Sequence, residues 1–145
     1  MDHREQAADR VLRLAARDPF ARSLGIECVG AGPGRSVATL TIADRHLNFN
    51  GACHGGVIFA LADTAFGLAS NSHGMIAVGI DAHVTYNVAV LRGDVLSATA
   101  TEISRARRIA VYRIDVANGE GVLVAAFTGT VYVTTRPHDA ATPRH

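Results

Sequence analysis

The most constraining feature of the sequence is the apolar run at residues 56–70, which reads Gly-Val-Ile-Phe-Ala-Leu-Ala-Asp-Thr-Ala-Phe-Gly-Leu-Ala-Ser. The run is longer than an ordinary strand, and its many Ala and Leu residues favour a helix. Because apolar side chains occur on nearly every side of that helix, we expect it to be buried. It is too short to span a bilayer and has a charge at its middle, so we expect no transmembrane segment and no membrane partner.

The other stretches with clear periodicity predict an antiparallel sheet. Apolar residues there alternate with polar or small ones, as in half-buried strands, and Gly93-Asp94 and Asn118-Gly119 provide turns. One long central helix wrapped by a curved, five- to six-stranded antiparallel sheet is an α+β fold. The alternating stretches are residues 36–42, 76–90, 95–103, 109–117 and 122–134.

The two ends of the chain have simpler patterns. Residues 4–21 have roughly helical spacing of apolar side chains, with Pro19 near the end, and we interpret them as an amphipathic lead-in helix. The glycines of residues 30–34 indicate a turn. We expect one domain over residues 1–135 and a flexible polar tail over 136–145. An edge strand and leftover apolar surface favour a homodimer, with edge strands paired across a two-fold axis.

Charge and cysteine content exclude several classes of protein. The 145 residues carry a formal net charge of +1 from 14 basic and 13 acidic side chains, so no strong field attracts nucleic acid. The two cysteines form no CxxC pair, and the charged amino terminus lacks the apolar core of a signal peptide. We therefore expect a cytoplasmic protein without a nucleic-acid partner.

Asp63 is the one charged residue in the apolar run. An ionised carboxylate among apolar neighbours is costly unless it is paired or functional. It either faces a local polar patch or is a catalytic group. The Gly-Gly pair at residues 55–56 favours catalysis, because the first N–H groups of a helix have no internal partner and can polarise a carbonyl oxygen. Glycines also open many helices for conformational reasons alone.

Four short motifs carry a family resemblance. They are Leu47-Asn48, Cys-His-Gly-Gly at residues 53–56, Leu-Ala-Asp-Thr-Ala-Phe at 61–66 and Asn-Ser-His-Gly at 71–74. With the segment at residues 18–26, they resemble the signature of hotdog-fold thioesterases of the PaaI (phenylacetic acid degradation) type. The resemblance extends to about Val133. It implies a hotdog fold, dimers that usually associate into tetramers as a dimer of dimers, and active sites that combine both subunits at the dimer interface.

The resemblance also implies roles for individual residues. Asp63 is the general base or the nucleophile, the Gly55 amide holds the thioester oxygen, and Asn48 positions the water or the carboxylate. His54 is also counted among the predicted catalytic residues. Asn48 has a structural alternative, a loop residue that bonds its own backbone.

Binding of coenzyme A has weaker indications. Arg107 and Arg108 precede a strand and suit phosphate, although a solvated charged turn is the alternative. Asn71 and Ser72 are expected to line the mouth of the site. The remaining predicted binding residues are Gly56 and Thr64.

Two positions depart from the family pattern. Val88-Ala89 replaces an Arg-Pro that is frequent in relatives, so part of the nucleotide contact has no assigned residue. Gly79 stands where some related enzymes carry a serine. Catalysis would then depend more heavily on Asp63.

The expected function is hydrolysis of a small acyl-CoA thioester to the free acid and CoA, and the resemblance alone implies an aryl acyl group, as in phenylacetyl-CoA or a hydroxyphenylacetyl-CoA. No cofactor is expected, because a thiolate leaves without strong protonation and one base with one oxyanion site suffices. No metal is expected, because the histidines lack metal-ligand spacing. A Cys53-His54 nucleophile pair and a dinucleotide site at residues 30–34 are disfavoured. Alternatives are a medium-chain or broad-range acyl-CoA thioesterase, a hotdog enoyl-CoA hydratase or dehydratase, and a noncatalytic acyl-CoA sensor.

Overall fold

The computed structural model describes residues 1–139. Within them lie three α-helices, one short 3-10 turn at Asp44–His46 and six strands. The helices are α1 (His3–Ala16), α2 (Pro19–Leu24) and α3 (Gly55–Ser70). The strands are β1 (Glu27–Gly32), β2 (Arg35–Thr41), β3 (Met75–Tyr86), β4 (Val95–Arg105), β5 (Ile109–Ala117) and β6 (Leu123–Pro137).

The six strands form one sheet in the order β1-β2-β4-β5-β6-β3, and every neighbouring pair is antiparallel. Helix α3 packs against this sheet and contacts all six strands. The predicted α+β hotdog fold, a long helix wrapped by an antiparallel sheet, is confirmed. No helix among residues 1–139 combines the length and apolar character needed to cross a membrane.

Phe66 anchors α3 in the concave face of the sheet. Its ring centroid lies 5.9 Å from that of Tyr112 and 5.7 Å from that of Phe127. A Cβ at Gly129 would lie 2.6 Å from the Phe66 ring, and one at Gly79 would lie 3.3 Å from it. Both glycines therefore leave space for Phe66, which gives Gly79 a packing role.

The predicted single helix over residues 4–21 is wrong in one respect, since the structure has two helices there. Helix α1 ends at Ala16, and Asp18 has extended backbone angles (φ −95°, ψ 96°) before Pro19 begins α2. Proline disfavours helical geometry at the preceding residue, which accounts for the break. Gly25, with φ of 85°, ends α2.

The prediction of a turn over all of residues 30–34 is also wrong. Strand β1 continues to Gly32, and Gly30 pairs with Val37 of β2. A Cβ at Gly30 would lie 3.3 Å from the Val37 side chain. Pairing with β2 therefore overrides the low strand propensity of glycine, and only Pro33 and Gly34 are left for the turn.

The two edge strands differ in their surroundings. Strand β1 has six residues and packs against α1, whereas β3 has twelve residues that are mostly exposed. At the carboxyl end, β6 runs to Pro137, two residues past the predicted domain end at 135. The His138 N–H donates to the Gly74 oxygen at 2.9 Å, so the predicted tail begins as ordered structure. Residues 140–145 lie outside the described residues.

Candidate active site

Asp63 lines a cavity of about 360 Å³ beside α3. Thr64 and Gly67 continue this wall along the helix, and α1 and α2 form the opposite wall. The cavity is therefore built partly by the N-terminal segment. Its lining residues are Leu14, Asp18, Phe20, Ala60, Asp63, Thr64, Gly67, Leu68, Asn71 and His138.

The surroundings of Asp63 favour its protonated form. Desolvation by partial burial raises the pKa of the Asp63 carboxyl, and the negative charge of Asp18 raises it further. The side chain still has an exposed surface and makes no hydrogen bond within residues 1–139. A carboxylate that is accessible, unpaired and of increased basicity suits a general base or a nucleophile.

The start of α3 presents a hydrogen-bond donor. His54 is the N-cap, and its Nδ1 accepts the Gly56 N–H at 2.8 Å. The N–H of Gly55 has no partner in the part of the chain that the structure describes. This N–H lies at the positive end of the helix dipole, where developing negative charge on an oxygen is stabilised.

Gly55 borders a second cavity of about 320 Å³. The Tyr86 hydroxyl donates to the Gly55 oxygen at 3.1 Å, and its ring lies 3.4 Å from where a Gly55 Cβ would be. Val88 and Ala89 also line this cavity. The other lining residues are Ala52, Cys53, Ile58, Asn87 and Val90.

The structure does not bring Gly55 and Asp63 of one chain together. Eight residues of helix separate them, which corresponds to about 12 Å along the axis and roughly 80° around it. They border different cavities, with no lining residue in common. A single chain therefore presents a donor and a base that cannot act on the same carbonyl group.

Asn48 organises its own loop. Its Oδ1 accepts the N–H groups of Asn50 at 2.9 Å and Ala52 at 3.2 Å. These bonds match the alternative in which Asn48 is a loop residue that bonds its own backbone. The amide nitrogen of Asn48 makes no hydrogen bond within the described residues, and it is the atom left to contact a substrate or a second chain.

The residues predicted to line the mouth of the site have different positions. Thr64 and Asn71 border the Asp63 cavity, and the Thr64 hydroxyl donates to the Ala60 oxygen at 2.7 Å. Asn71 closes the end of α3 by exchanging hydrogen bonds with the Ala77 backbone. Ser72 is fully buried and accepts the Gly34 N–H at 2.8 Å, so it is a structural residue with no cavity surface.

The two candidate phosphate-binding residues lie in the turn between β4 and β5. Arg107 is exposed and forms no salt bridge within residues 1–139. Arg108 is half-buried, and its guanidinium donates to the Arg107 oxygen at 3.2 Å. Neither lines a cavity next to Asp63 or Gly55.

The geometry disfavours a cysteine nucleophile. Burial, with a contribution from the Asp94 charge, raises the pKa of the Cys53 thiol to about 11, so Cys53 stays protonated and is a poor nucleophile. His54 also cannot serve it as a base through Nδ1, which already accepts the Gly56 N–H. Among the described residues, no cluster of three or more His, Cys, Asp and Glu side chains is arranged to hold a metal ion.

Sequence reasoning missed four residues that shape the two cavities. Leu14, Phe20 and His138 face Asp63, and Tyr86 covers Gly55. They come from segments distant from α3 in sequence, and no local pattern marks them. Of these four residues, only Phe20 has a local sequence signal, because the run Asp-Pro-Phe at residues 18–20 is typical of a helix start.

The central helix of the hotdog fold thus presents an N–H able to polarise a carbonyl group and a carboxylate that is unpaired in the described residues, and both groups suit a thioester hydrolase. Comparisons with known proteins agree. Residues 50–125 match the thioesterase superfamily. The chain is 42% identical over 99 residues to a putative esterase from Archaeoglobus fulgidus, which covers 68% of this chain and 64% of that one.

Two further comparisons are more specific. The acyl-coenzyme A thioesterase PaaI of Escherichia coli strain K12 is 38% identical over 112 residues, which are 77% of this chain and 80% of that protein. The structure of the E. coli PaaI protein from the phenylacetic acid degradation operon superposes with a TM-score of 0.91, at 32% identity, over 94% of this chain and 99% of that one. The chain thus belongs to the thioesterase superfamily and, within it, to the PaaI type.

Proposed function

We propose that the protein is an acyl-CoA thioesterase that hydrolyses a small aryl acyl-CoA, such as phenylacetyl-CoA or a hydroxyphenylacetyl-CoA, to the free acid and CoA. The observation that carries the proposal is the pair formed by the unpaired Gly55 N–H and the unpaired Asp63 carboxylate. Acyl-CoA chemistry is supported by the name of the E. coli relative.

Each active site combines two copies of the chain. The Gly55 N–H of one copy and Asp63 of the other would face the same thioester, because the two groups of one chain are too far apart. The exposed edge strand β3 supports such an assembly, since a long unpaired edge is a ready surface for a second strand. We infer a two-fold dimer joined through β3, and a dimer of dimers as the complete assembly.

The chemistry needs no other group. The Gly55 N–H binds the carbonyl oxygen while negative charge develops on it. Asp63 either takes a proton from a water that attacks the carbonyl carbon or attacks that carbon itself, forming an anhydride that water then opens. In both routes the C–S bond breaks, CoA leaves as the thiolate, and the acyl group is released as the acid. The proposed reaction therefore requires no cofactor and no metal.

The acyl group is proposed to occupy the Asp63 cavity. Its volume of about 360 Å³ and its apolar residues Leu14, Phe20 and Leu68 suit a compact apolar group. An aryl group is favoured by the similarity to a protein of the phenylacetic acid degradation operon. A medium-chain or broad-range acyl-CoA is the second candidate, because these side chains would contact an alkyl chain equally well.

The nucleotide end of CoA is assigned to Arg107 and Arg108. Arg107 has no salt-bridge partner among residues 1–139, and guanidinium groups bind phosphate through two parallel hydrogen bonds. We also infer a cytoplasmic address. Cys28 and Cys53 are both unpaired, as is usual in a reducing compartment.

A panel of CoA esters assayed for thiol release tests the proposed function. Phenylacetyl-CoA, its ring-hydroxylated forms, and straight-chain esters of four to twelve carbons would be compared by kcat/KM, with an enoyl-CoA ester monitored for hydration. We expect thiol release, with the highest kcat/KM for an aryl ester. Hydration of the enoyl ester would support the hydratase alternative, and saturable binding without turnover would support a sensor.

A further inference from the structure

A second carboxylate, Asp18, shares the cavity with Asp63. It belongs to the junction between α1 and α2, outside the residues 50–125 that match the thioesterase superfamily. The roles considered so far leave it unused. Because two like charges in one cavity disfavour each other's ionised form, its presence beside a catalytic carboxylate has a chemical consequence.

The position of Asp18 is fixed by the local fold. Its Oδ1 accepts the Ala21 N–H at 3.0 Å as the N-cap of α2, and Pro19 restrains the backbone directly after it. Asp18 forms no salt bridge within residues 1–139. Its negative charge is therefore held in place and is not neutralised by an ion pair.

The other titratable group lining the cavity is His138. Its Nε2 must donate to the Asn71 Oδ1 at 2.8 Å, because that oxygen also accepts the Ala77 N–H. Burial lowers the pKa of His138, and the positive charges of Arg10 and Arg17 lower it further. The charge of Asp139 and a backbone hydrogen bond to Met75 oppose this shift, but the net effect favours the neutral imidazole.

The helix itself adds no further charge. Asp63 is the only charged side chain of α3. Near neutral pH, Asp18 is thus the charge that faces Asp63 from the lining of the described cavity.

We propose that Asp18 is a positioning residue of the catalytic centre, whose fixed negative charge acts on Asp63 across the cavity that the two carboxylates share. The proposal rests on the proposed function for its catalytic meaning. The N-terminal segment then has a role in the reaction, because capping of α2 holds the Asp18 carboxylate in place.

The sign of the effect follows from the electrostatics. Partial burial first, and the Asp18 charge second, raise the pKa of Asp63. Asp63 acts as a carboxylate, so activity is present above this pKa and is lost as the pH falls through it. Without the Asp18 charge the pKa of Asp63 decreases, and activity persists to lower pH. The plateau rate decreases slightly, because a less basic carboxylate is a weaker general base.

The variant Asp18→Asn tests the proposal in the intact enzyme. Asparagine keeps a side-chain oxygen for the Ala21 N–H and caps helices as well as aspartate does, so mainly the charge is lost. The matched control is Asp9→Asn, which removes the same charge from an exposed site on α1 that does not line the cavity. A change caused by overall charge would occur in both variants.

The first measurement is the pH profile of kcat/KM for the best thioester of the panel. In Asp18→Asn the acid limb should move to lower pH, because the like charge that raises the pKa of Asp63 is gone. The control should retain the wild-type limb. An unchanged limb in Asp18→Asn, or an equal shift in both variants, would overturn the proposal.

The second measurement needs no substrate. The Asp63 carboxyl carbon can be titrated by ¹³C NMR, with its signal assigned by its loss in Asp63→Asn. The midpoint should be lower in Asp18→Asn than in wild type. An unchanged midpoint overturns the role of Asp18 whatever the activity, whereas absence of thiol release by the wild-type enzyme overturns the proposed function.

Discussion

The two cavities along α3 differ in what each one lacks. The cavity at Gly55 has an N–H donor without a partner in the described residues but no acidic residue in its lining, whereas the Asp63 cavity has two carboxylates. Asp63 lies about 12 Å from Gly55 along the helix axis. A rigid helix keeps them apart in every copy of the chain. This difference is the basis of our proposal that each cavity is half of a catalytic site and that a second copy of the chain completes it.

The first prediction concerns the contact between two copies of the chain. Ile80 lies on edge strand β3 and Val29 on edge strand β1, and both side chains are 59% exposed. Ile80→Lys should separate the copies, because a lysine on an exposed edge opposes pairing. Activity should fall by about 10²-fold or more, since each half-site of a separated chain keeps only the oxyanion donor or only the base.

Val29→Lys is the matched control for that variant. Strand β1 packs against α1, so the same substitution at the same exposure should leave both assembly and activity unchanged. Sedimentation velocity would report the mass of each variant beside its kcat/KM. A fully active monomer of Ile80→Lys would contradict the two-copy site.

The base can be removed without altering the fold. Asp63→Asn should lower kcat by about 10²–10⁴-fold, the usual contribution of a general base. Since Asp63 is exposed to the cavity and makes no hydrogen bond in the described structure, the free energy of unfolding should change by less than about 0.5 kcal/mol. Steady-state kinetics and thermal unfolding check the two parts, and near wild-type kcat in a folded variant would refute the role of Asp63.

The Gly55 N–H can also be removed by a single substitution. Gly55→Pro deletes the N–H at the first helical position, where proline is well tolerated, and His54 already has the extended angles that precede proline (φ −62°, ψ 132°). Loss of one oxyanion donor should lower kcat by about 10²–10³-fold. Gly55→Ala keeps the N–H and adds only a Cβ 3.4 Å from Tyr86, so it should retain most of the activity. Equal rates for the two variants would show that the N–H is not used.

Most of the fold could be predicted from the sequence because its periodicity is strong. The apolar run predicted α3 to within one residue, and alternation predicted five of the six strands. The misses have local causes. Pairing with β2 makes a strand of glycine-rich residues 27–32, and Asp18-Pro19 divides the predicted lead-in helix.

Less of the candidate site could be predicted. Asp63 and the Gly55 amide stand out because a lone charge and a helix start have local signatures. Other features of the site depend on contacts between segments far apart in sequence. These features are the separation of Asp63 and Gly55 into two cavities, the contact of Tyr86 with Gly55, and the position of Asp18 in the Asp63 cavity. The burial of Ser72 has the same origin, since its hydroxyl bonds the turn at Gly34.

Complementation between two inactive variants tests the shared site most directly. Asp63→Asn and Gly55→Pro would each be expressed alone and then co-expressed in equal amounts. If one site takes Asp63 and Gly55 from different copies, random pairing gives mixed dimers in half of the population, each with one intact site. We therefore predict recovery of about a quarter of wild-type activity. Co-expression that stays as inactive as either variant alone would contradict the shared site.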